Sequence, residues 1–324
     1  MLTYPHHVLV TGGAGFIGSH TVERLLQDNH RVRVLDNFST GRLSNLPTHP
    51  LLDVVVGDIR SVEDVQTAMK GVTHCLHLAA QVSVASSVAD PVGSSTHNIL
   101  GALNVMHAAS MAHVSKLVYA SSAAVYGIPA QLPLPEEAEL QPLSPYGLEK
   151  WVDERYAALL GSLHGLPSLG LRYFNVYGPR QDPNSPYAGV IARFLDRLLS
   201  HQPPPSVRGM ACSRGILFMW AILPGQTWPP YLAPQCGICN VATGQQIDLL
   251  TLIDLLGQLT HCHLTPQHLP AKAEDIRDSC GNNRRLSEWL MIEPTWTLTE
   301  GLSELISYVS PAHGYLDEPS RINA

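Results

Sequence analysis

Tyr146 and Lys150, four residues apart in "SPYGLEKW", carry the first chemical signal in the chain. At helical spacing both side chains lie on one face. A lysine ammonium beside a phenol favours the phenolate, so Tyr146 can act as a base near neutral pH. The apolar run "KLVYASS" ends on Ser121 and Ser122, at the carboxyl edge where open α/β sheets carry their sites. A hydroxyl there can bond a substrate hydroxyl and relay its proton to Tyr146. Each of these signals alone is common in helices and strand ends. A third gives them weight: "TGGAGFIGSH" sets Gly12, Gly15 and Gly18 between an apolar strand and a helix. Gly12 permits the tight turn and Gly15 lets the backbone approach a pyrophosphate. Gly18 lets the helix pack close on the sheet, with its N-terminus toward the anion. Asp36 ends the next strand, "RVRVLD". Its carboxylate suits adenosine ribose hydroxyls and repels a 2′-phosphate, so NAD is expected over NADP. Asp58 in "VVGDIR" reads equally as an adenine contact or as the N-cap of the next helix. Asn37 reads as a cofactor contact or a turn residue.

These residues need a parallel sheet to hold them. Strand patterns run over His6 to Gly12, Arg31 to Asp36, Leu51 to Asp58, "THCLHLAA", Lys116 to Ser122 and "PSLGLRYFNVYG". Helix patterns alternate with them: Phe16 to Gln27, "VEDVQTAMKG", "HNILGALNVMHAASMA" and a helix from near Tyr146. Apolar strands alternating with helices predict a doubly wound α/β fold, Rossmann-like, covered on both faces. The second half is less regular. It predicts helices at "GVIARFLDRLL", Asp248 to Leu259 and near Leu298 to Tyr308, with a short strand at "GICNVATG".

Composition narrows the function. The 324 residues are 45% hydrophobic and 15% charged, enough for one large core or two linked domains. A net charge of −7 argues against nucleic-acid partners, which select basic patches. No uncharged apolar run reaches the length of a membrane span. "MLTYPHHVLVTGG" has no basic flank or cleavage site, so no signal peptide is expected. Six scattered cysteines suit a cytoplasmic location. Cys236 and Cys239 form CxxC and His261, Cys262 and His263 follow, but the paired or finger spacing of zinc sites is missing and no metal is expected.

The motifs "VTGGAGFIGSH", "DNFSTG", "GDIR", "HLAAQVSV", "VYASSAAVYG", "YGLEK" and "RYFNVYGPRQDPNSPYAGVIARF" cover most of Met1 to Leu199, and "CNVATGQQIDLL" follows later. In these the chain resembles the extended short-chain dehydrogenases/reductases, in their NAD-dependent nucleotide-sugar epimerase/dehydratase group. It is most similar to bacterial UDP-sugar 4-epimerases of the UDP-glucose or UDP-N-acetylglucosamine kind. The resemblance implies an NAD-binding domain over residues 1–175, with a returning segment at about 237–260. It implies a smaller substrate-binding domain over 176–236 and 261–324. Gly12, Gly15, Phe16, Ile17, Gly18, Asp36, Asn37, Asp58, Ile59, Leu78, Ala79 and Ala80 would line NAD, with Asn98 near it and Tyr173 beside the nicotinamide. Ser122, Tyr146 and Lys150 would be catalytic, Lys150 also holding the nicotinamide ribose. Ser83 would face the sugar and Asn175 contact the diphosphate. Lys272, in the place of a family arginine, Asp275 and Arg277 would complete the substrate side. A homodimer is the expected assembly. Dehydratases of the group usually carry an Asp-Glu pair where Ala123 and Ala124 stand here, so return of hydride to a 4-keto sugar is expected rather than loss of water. Another dehydratase or decarboxylase chemistry, or a catalytically impaired NAD-binding protein, are the alternatives.

One stretch departs from the family. "RGMACSRGILFMWAILPGQTWPP", Arg208 to Pro230, has no acidic residue and neither helical nor strand periodicity. Relatives carry a motif resembling G-D-G-x-Q-x-R-D-F-x-Y-V-x-D-x-A after the Pro-rich loop. Taken back to codons and read one base earlier, the stretch permits "GDGLQSRDFIYVGDIARANMAA", that motif in order and in place. The simplest inference is a base lost near Gly209 and a compensating change between about Tyr231 and Gly237. The expectation for Arg208 to about Gly237 is irregular backbone. The consequence is loss of the R-D-F arginine, which in relatives clamps the nucleotide diphosphate.

Overall fold

The computed structural model describes residues 6–182, 189–203, 233–262, 278–294 and 296–309, with the short pieces 207–208, 213–214, 217–218, 265–266, 268–269 and 276. Its strands are β1 (His7–Thr11), β2 (Arg31–Asp36), β3 (Leu52–Val56), β4 (His74–His77), β5 (Lys116–Ser122), β6 (Ser168–Tyr173), β7 (Val176–Tyr177), β8 (Val207–Arg208), β9 (Ser213–Arg214), β10 (Leu217–Phe218), β11 (Gly237–Val241), β12 (Ile247–Asp248) and β13 (His268–Leu269). Its α-helices are α1 (Phe16–Gln27), α2 (Val62–Met69), α3 (Val84–Ala89), α4 (Pro91–Ser95), α5 (Gly101–Met111), α6 (Pro145–His164), α7 (Val190–Leu199), α8 (Leu249–Thr260), α9 (Arg284–Leu290) and α10 (Leu298–Val309).

Seven strands make one sheet in the order β11-β6-β5-β4-β1-β2-β3, and every pairing in it is parallel. The order reverses between β1 and β4, and that switch point opens a crevice at the carboxyl ends of the strands. Period-two alternation sends side chains to both faces. Val8 and Val10 pack with Val22 and Leu25 of α1 and with α7 and α8. Leu9 packs on the opposite face with Val65 of α2, Met106 of α5 and Ala157 of α6. Burying each such valine or leucine contributes about 1.5–3 kcal/mol.

The edge strand β11 is pinned by a buried polar network. Arg172 on β6 grips Glu154 on α6 through two bonds of 2.8 and 2.7 Å. Its third nitrogen donates to the Tyr126 hydroxyl at 2.8 Å, and that hydroxyl donates to Asn240 on β11 at 2.7 Å. Glu154 also accepts from Ser121 at 2.6 Å. Removing one partner of such a buried pair typically costs about 3–5 kcal/mol.

Two expectations need correction. The helix read over "HNILGALNVMHAASMA" opens instead as a π turn, Thr96–Leu100, and becomes α-helical only at Gly101. Such bulges turn a side chain out of the regular ladder, and here the residue displaced is Asn98. The irregular backbone expected from Arg208 onward is interrupted by regular pairings. β9 pairs antiparallel with β12, and β10 pairs parallel with β7. Residues 209–212, 215–216 and 219–232 lie outside the described residues.

Candidate active site

The cleft at the switch point encloses about 1770 Å³. Its floor is the glycine turn between β1 and α1. Gly12 has φ +69° and donates its N–H to Leu35 O at 2.9 Å. A Cβ on Gly12 would stand 2.7 Å from the Ala79 nitrogen, and one on Gly18 only 2.1 Å from Gly12 O. Neither position admits a side chain, so the first turn of α1 lies directly on the strand and its N–H groups face the cleft. Asp36 ends β2 on the cleft wall, its two oxygens accepting from Ala14 N–H at 2.9 Å and Phe38 N–H at 2.8 Å. A bare glycine cradle, a helix N-terminus and a carboxylate one strand away fit a dinucleotide: pyrophosphate on the helix, ribose on Asp36.

The opposite wall is set by the start of α6. Ser144 caps it by accepting from Gly147 N–H at 3.1 Å, and Pro145 occupies the first turn. Tyr146 N–H donates to Ser87 Oγ at 3.1 Å. A Cβ on Gly147 would meet Ala124 O at 2.6 Å, so the helix start packs against the 3₁₀ turn Ala123–Val125 that follows Ser122. Ser122 caps that turn, accepting from Ala124 N–H at 3.2 Å. Ser122, Tyr146 and Lys150 all line the cleft. Ser121 of "YASS" borders the cleft as well, but its hydroxyl is donated to Glu154. Beneath Lys150, His77 is fully buried and shares a hydrogen bond of 2.8 Å with Thr11. Burial first, and the charge of Lys150 second, push its imidazole down to about 3, so it is neutral.

Gly12, Gly15, Phe16, Ile17, Gly18, Asp36, Asn37, Ile59, Leu78, Ala79, Ala80, Tyr173 and Asn175 also line the cleft. Asn37 is the turn residue its position suggested, its side chain accepting from Ser39 N–H at 3.0 Å, and it also donates to Asp58 at 2.9 Å. Three other expected residues stand behind the wall. Asn98 is 1% exposed; its carboxamide accepts from Gln81 N–H at 2.8 Å and donates to Gln81 O at 2.9 Å and Glu149 at 2.6 Å. It clamps the loop after Ala80. Asp58 holds Arg60, whose hydrogen bonds keep its carboxyl well below the usual range. Asp58 is not the N-cap of α2; Ser61 is, accepting from Asp64 N–H at 3.2 Å. Ser83 is the N-cap of α3, accepting from Ser86 N–H at 2.9 Å. Lys272, Asp275 and Arg277 lie outside the described residues.

Residues 8–215 match the model of the NAD dependent epimerase/dehydratase family. The chain belongs to that family. Within it, the chain is similar to a UDP-glucose 4-epimerase of Mycolicibacterium smegmatis, 33% identical over 93% of this chain and 97% of that one. A putative UDP-glucose 4-epimerase of Methanocaldococcus jannaschii is 39% identical over 77% of this chain and 81% of its own. Among solved structures, the UDP-glucose 4-epimerase of Thermus thermophilus in complex with NAD superposes with a TM-score of 0.85 at 34% identity, covering 93% of this chain and 98% of that one. The Thermotoga maritima UDP-glucose 4-epimerase with UDP-glucose gives 0.85 at 32% identity, over 93% and 98%. The family's sheet and cofactor cleft are thus both present. Sequence reading missed Gly147, whose tight contact brings Tyr146 toward Ser122. It also missed Arg42, on the cleft wall and paired with Asp182 at 3.1 Å. A basic residue just past "DNFSTG" was the available signal for Arg42; for Gly147 there was none, because its contact is with a segment 23 positions away.

Proposed function

We propose that this chain is an NAD-dependent UDP-sugar 4-epimerase, acting on a UDP-glucose/UDP-galactose or UDP-GlcNAc/UDP-GalNAc pair. The observation that carries the reading is the convergence of Ser122, Tyr146 and Lys150 on one wall of a cleft whose floor fits a dinucleotide. Residues 1–175 with the segment at about 237–260 are assigned to the cofactor, and the remainder to the sugar nucleotide.

Tyr146 takes the proton of the sugar 4-hydroxyl, and Ser122 holds that hydroxyl through its own proton. Lys150 keeps a positive charge beside the phenol throughout. When bound, NAD supplies reversible hydride acceptance from C4. The 4-keto sugar turns about its diphosphate link and presents its other face, and Tyr146 returns the proton to the C4 oxygen as C4 takes back hydride, which gives the inverted alcohol. Ala123 and Ala124 give the 3₁₀ turn no acid or base for eliminating water, which supports epimerisation over dehydration. Incubation with UDP-glucose and UDP-N-acetylglucosamine, followed by product chromatography, is expected to show the C4 epimer of one of them. The product is expected weakly or not at all from this chain, which lacks the diphosphate arginine, and at full rate once the family motif replaces Gly209 to Pro230. A 4-keto-6-deoxy product from either would replace this reading with a dehydratase.

A homodimer through α5 and α6 belongs to the same reading. Met111 is 68% exposed, and Leu159 and Leu163 on α6 are 50% and 65% exposed. With Val62, Leu103, His107 and Tyr156, Leu159 lines an apolar groove between α2, α5 and α6. Large apolar side chains along neighbouring helices favour a self-complementary contact. Leu159→Arg is expected to sediment with the mass of one chain where the parent sediments as two; equal masses would remove α6 from the interface. A cytoplasmic location fits the five described cysteines, all free thiols. Among the described residues no helix is long and apolar enough to cross a membrane.

A further inference from the structure

α6 places three acids within one turn of Lys150: Glu149, Asp153 and Glu154. Two of them are committed elsewhere. Glu149 accepts from Ser94 at 2.8 Å, Ser95 at 3.2 Å and Asn98 at 2.6 Å. Glu154 is held by Arg172 and Ser121. Asp153 alone bonds the lysine, with Nζ 3.3 Å from Oδ2 and both side chains only 3% exposed. Lys150 lines the cleft and Asp153 does not. From the elements packed against α6, the other titratable groups facing this pair are His77 on β4, Tyr119 on β5 and Arg172 on β6. His77 is neutral, Tyr119 is held protonated by burial, and Arg172 is consumed by Glu154.

We propose that Asp153 is a positioning residue for Lys150, holding the ammonium from behind the cleft wall and compensating its charge in the core. The proposal rests on the reading of Lys150 as part of the catalytic set. An ammonium in a dry site is costly unless paired, and the carboxylate one turn on supplies both the charge and the direction. The electrostatics agree. Burial pulls the Lys150 ammonium down, but Asp153, then Tyr146 and Glu149, outweigh it and leave the group above the usual lysine value. Burial pushes Asp153 up to about 6 despite the pull of Lys150. Both are therefore ionised at neutral pH.

The chain has four lysines, Lys70, Lys116, Lys150 and Lys272, so lysine Cε resonances can be followed one by one in the whole protein. The experiment is a pH titration of ¹³C-lysine-labelled, NAD-loaded protein between pH 6 and 10.5, with Lys150→Met identifying the signal. In the parent, Lys150 is expected to stay protonated across the range. In Asp153→Asn it is expected to lose its proton at least about one pH unit earlier, and Asp153→Glu is expected to restore the parental behaviour. Asp153→Ser provides the same comparison if the amide variant does not fold. A Lys150 signal that titrates identically in the neutral variants and the parent would overturn the proposal. Addition of NAD to the unloaded protein separates the two readings. A Lys150 signal that ignores NAD would remove Lys150 from the cofactor site, and the proposal with it. A signal that responds to NAD, yet titrates alike with and without Asp153, overturns the role of Asp153 alone.

Discussion

Tyr146→Phe is expected to abolish epimerisation and leave NAD bound. The substitution removes one oxygen, the proposed proton acceptor. It leaves the ring, the Ser144 cap and the backbone bond from Tyr146 N–H to Ser87 in place, so α6 starts where it did. Positioned acid–base groups contribute about 10²–10⁴-fold, and here the same oxygen serves both the forward and the return transfer. Turnover should fall by at least about 10³-fold, at the upper part of that range. Cofactor retention should match the parent, because the glycine turn and Asp36 lie on the other wall. Turnover is read by conversion of UDP-glucose, and retention by the NAD released on denaturation. A mutant within tenfold of its parent would show that another group takes the proton. A mutant that loses NAD as well would show that Tyr146 is structural.

The second large effect concerns Arg208 to about Gly237. Replacing Gly209 to Pro230 with "GDGLQSRDFIYVGDIARANMAA" is expected to restore diphosphate binding and turnover. A bidentate arginine makes two charge-assisted hydrogen bonds, each contributing about 1.5–3 kcal/mol. At 1.4 kcal/mol per decade, recovering them should tighten UDP-sugar binding by about 10²-fold or more. The positions of β10, Leu217–Phe218, read Phe-Ile in the replacement, and β10 already pairs with β7. The repaired segment therefore has a backbone partner waiting for it. Calorimetric titration of UDP against both chains provides the measurement. Equal affinity and equal turnover in the two would mean that the altered reading frame has no functional weight.

Much of this site was legible from local patterns. Strand-to-helix alternation located all seven strands of the sheet, because strands buried on both faces are continuous apolar runs bounded by glycine and acids. The glycine turn, Asp36 and the pair Tyr146 and Lys150 were legible because their chemistry is fixed by spacing within one turn. What escaped was decided across the chain. Nothing near Asn98 says that a π turn will aim it at Gln81, 17 positions earlier. Ser83 was read toward the sugar, and its hydroxyl accepts from Ser86 N–H at the start of α3, where a polar residue satisfies a free N–H group. Asp58 was read as an adenine contact or an N-cap, and its carboxylate instead holds Arg60 and Asn37. Ser121 and Ser122 look alike in sequence. Both border the cleft, and they part only in their hydroxyls: that of Ser121 is donated to Glu154, while that of Ser122 accepts from Ala124 N–H and keeps its proton for a ligand. Helices α3, α4 and α9 were not foreseen, since at seven residues or fewer they are too short to show a period.

The position of β11 bears on how the protein tolerates change. It is the edge strand, and it begins 64 positions after β6 ends, from Tyr173 to Gly237. Closing a flexible connection costs chain entropy that grows only with the logarithm of its length, about 0.6 kcal/mol for each doubling. That cost is indifferent to which residues fill the connection. The gain on closure comes from outside it, from the pairing of β11 with β6 and from Asn240 meeting Tyr126. A lesion confined to Arg208–Pro230, downstream of α7 and the core cluster that α7 packs into, therefore leaves the folding transition of the sheet nearly untouched. Such a gene product would accumulate as a folded chain that keeps its cofactor, visible to selection through weakened turnover and not through degradation.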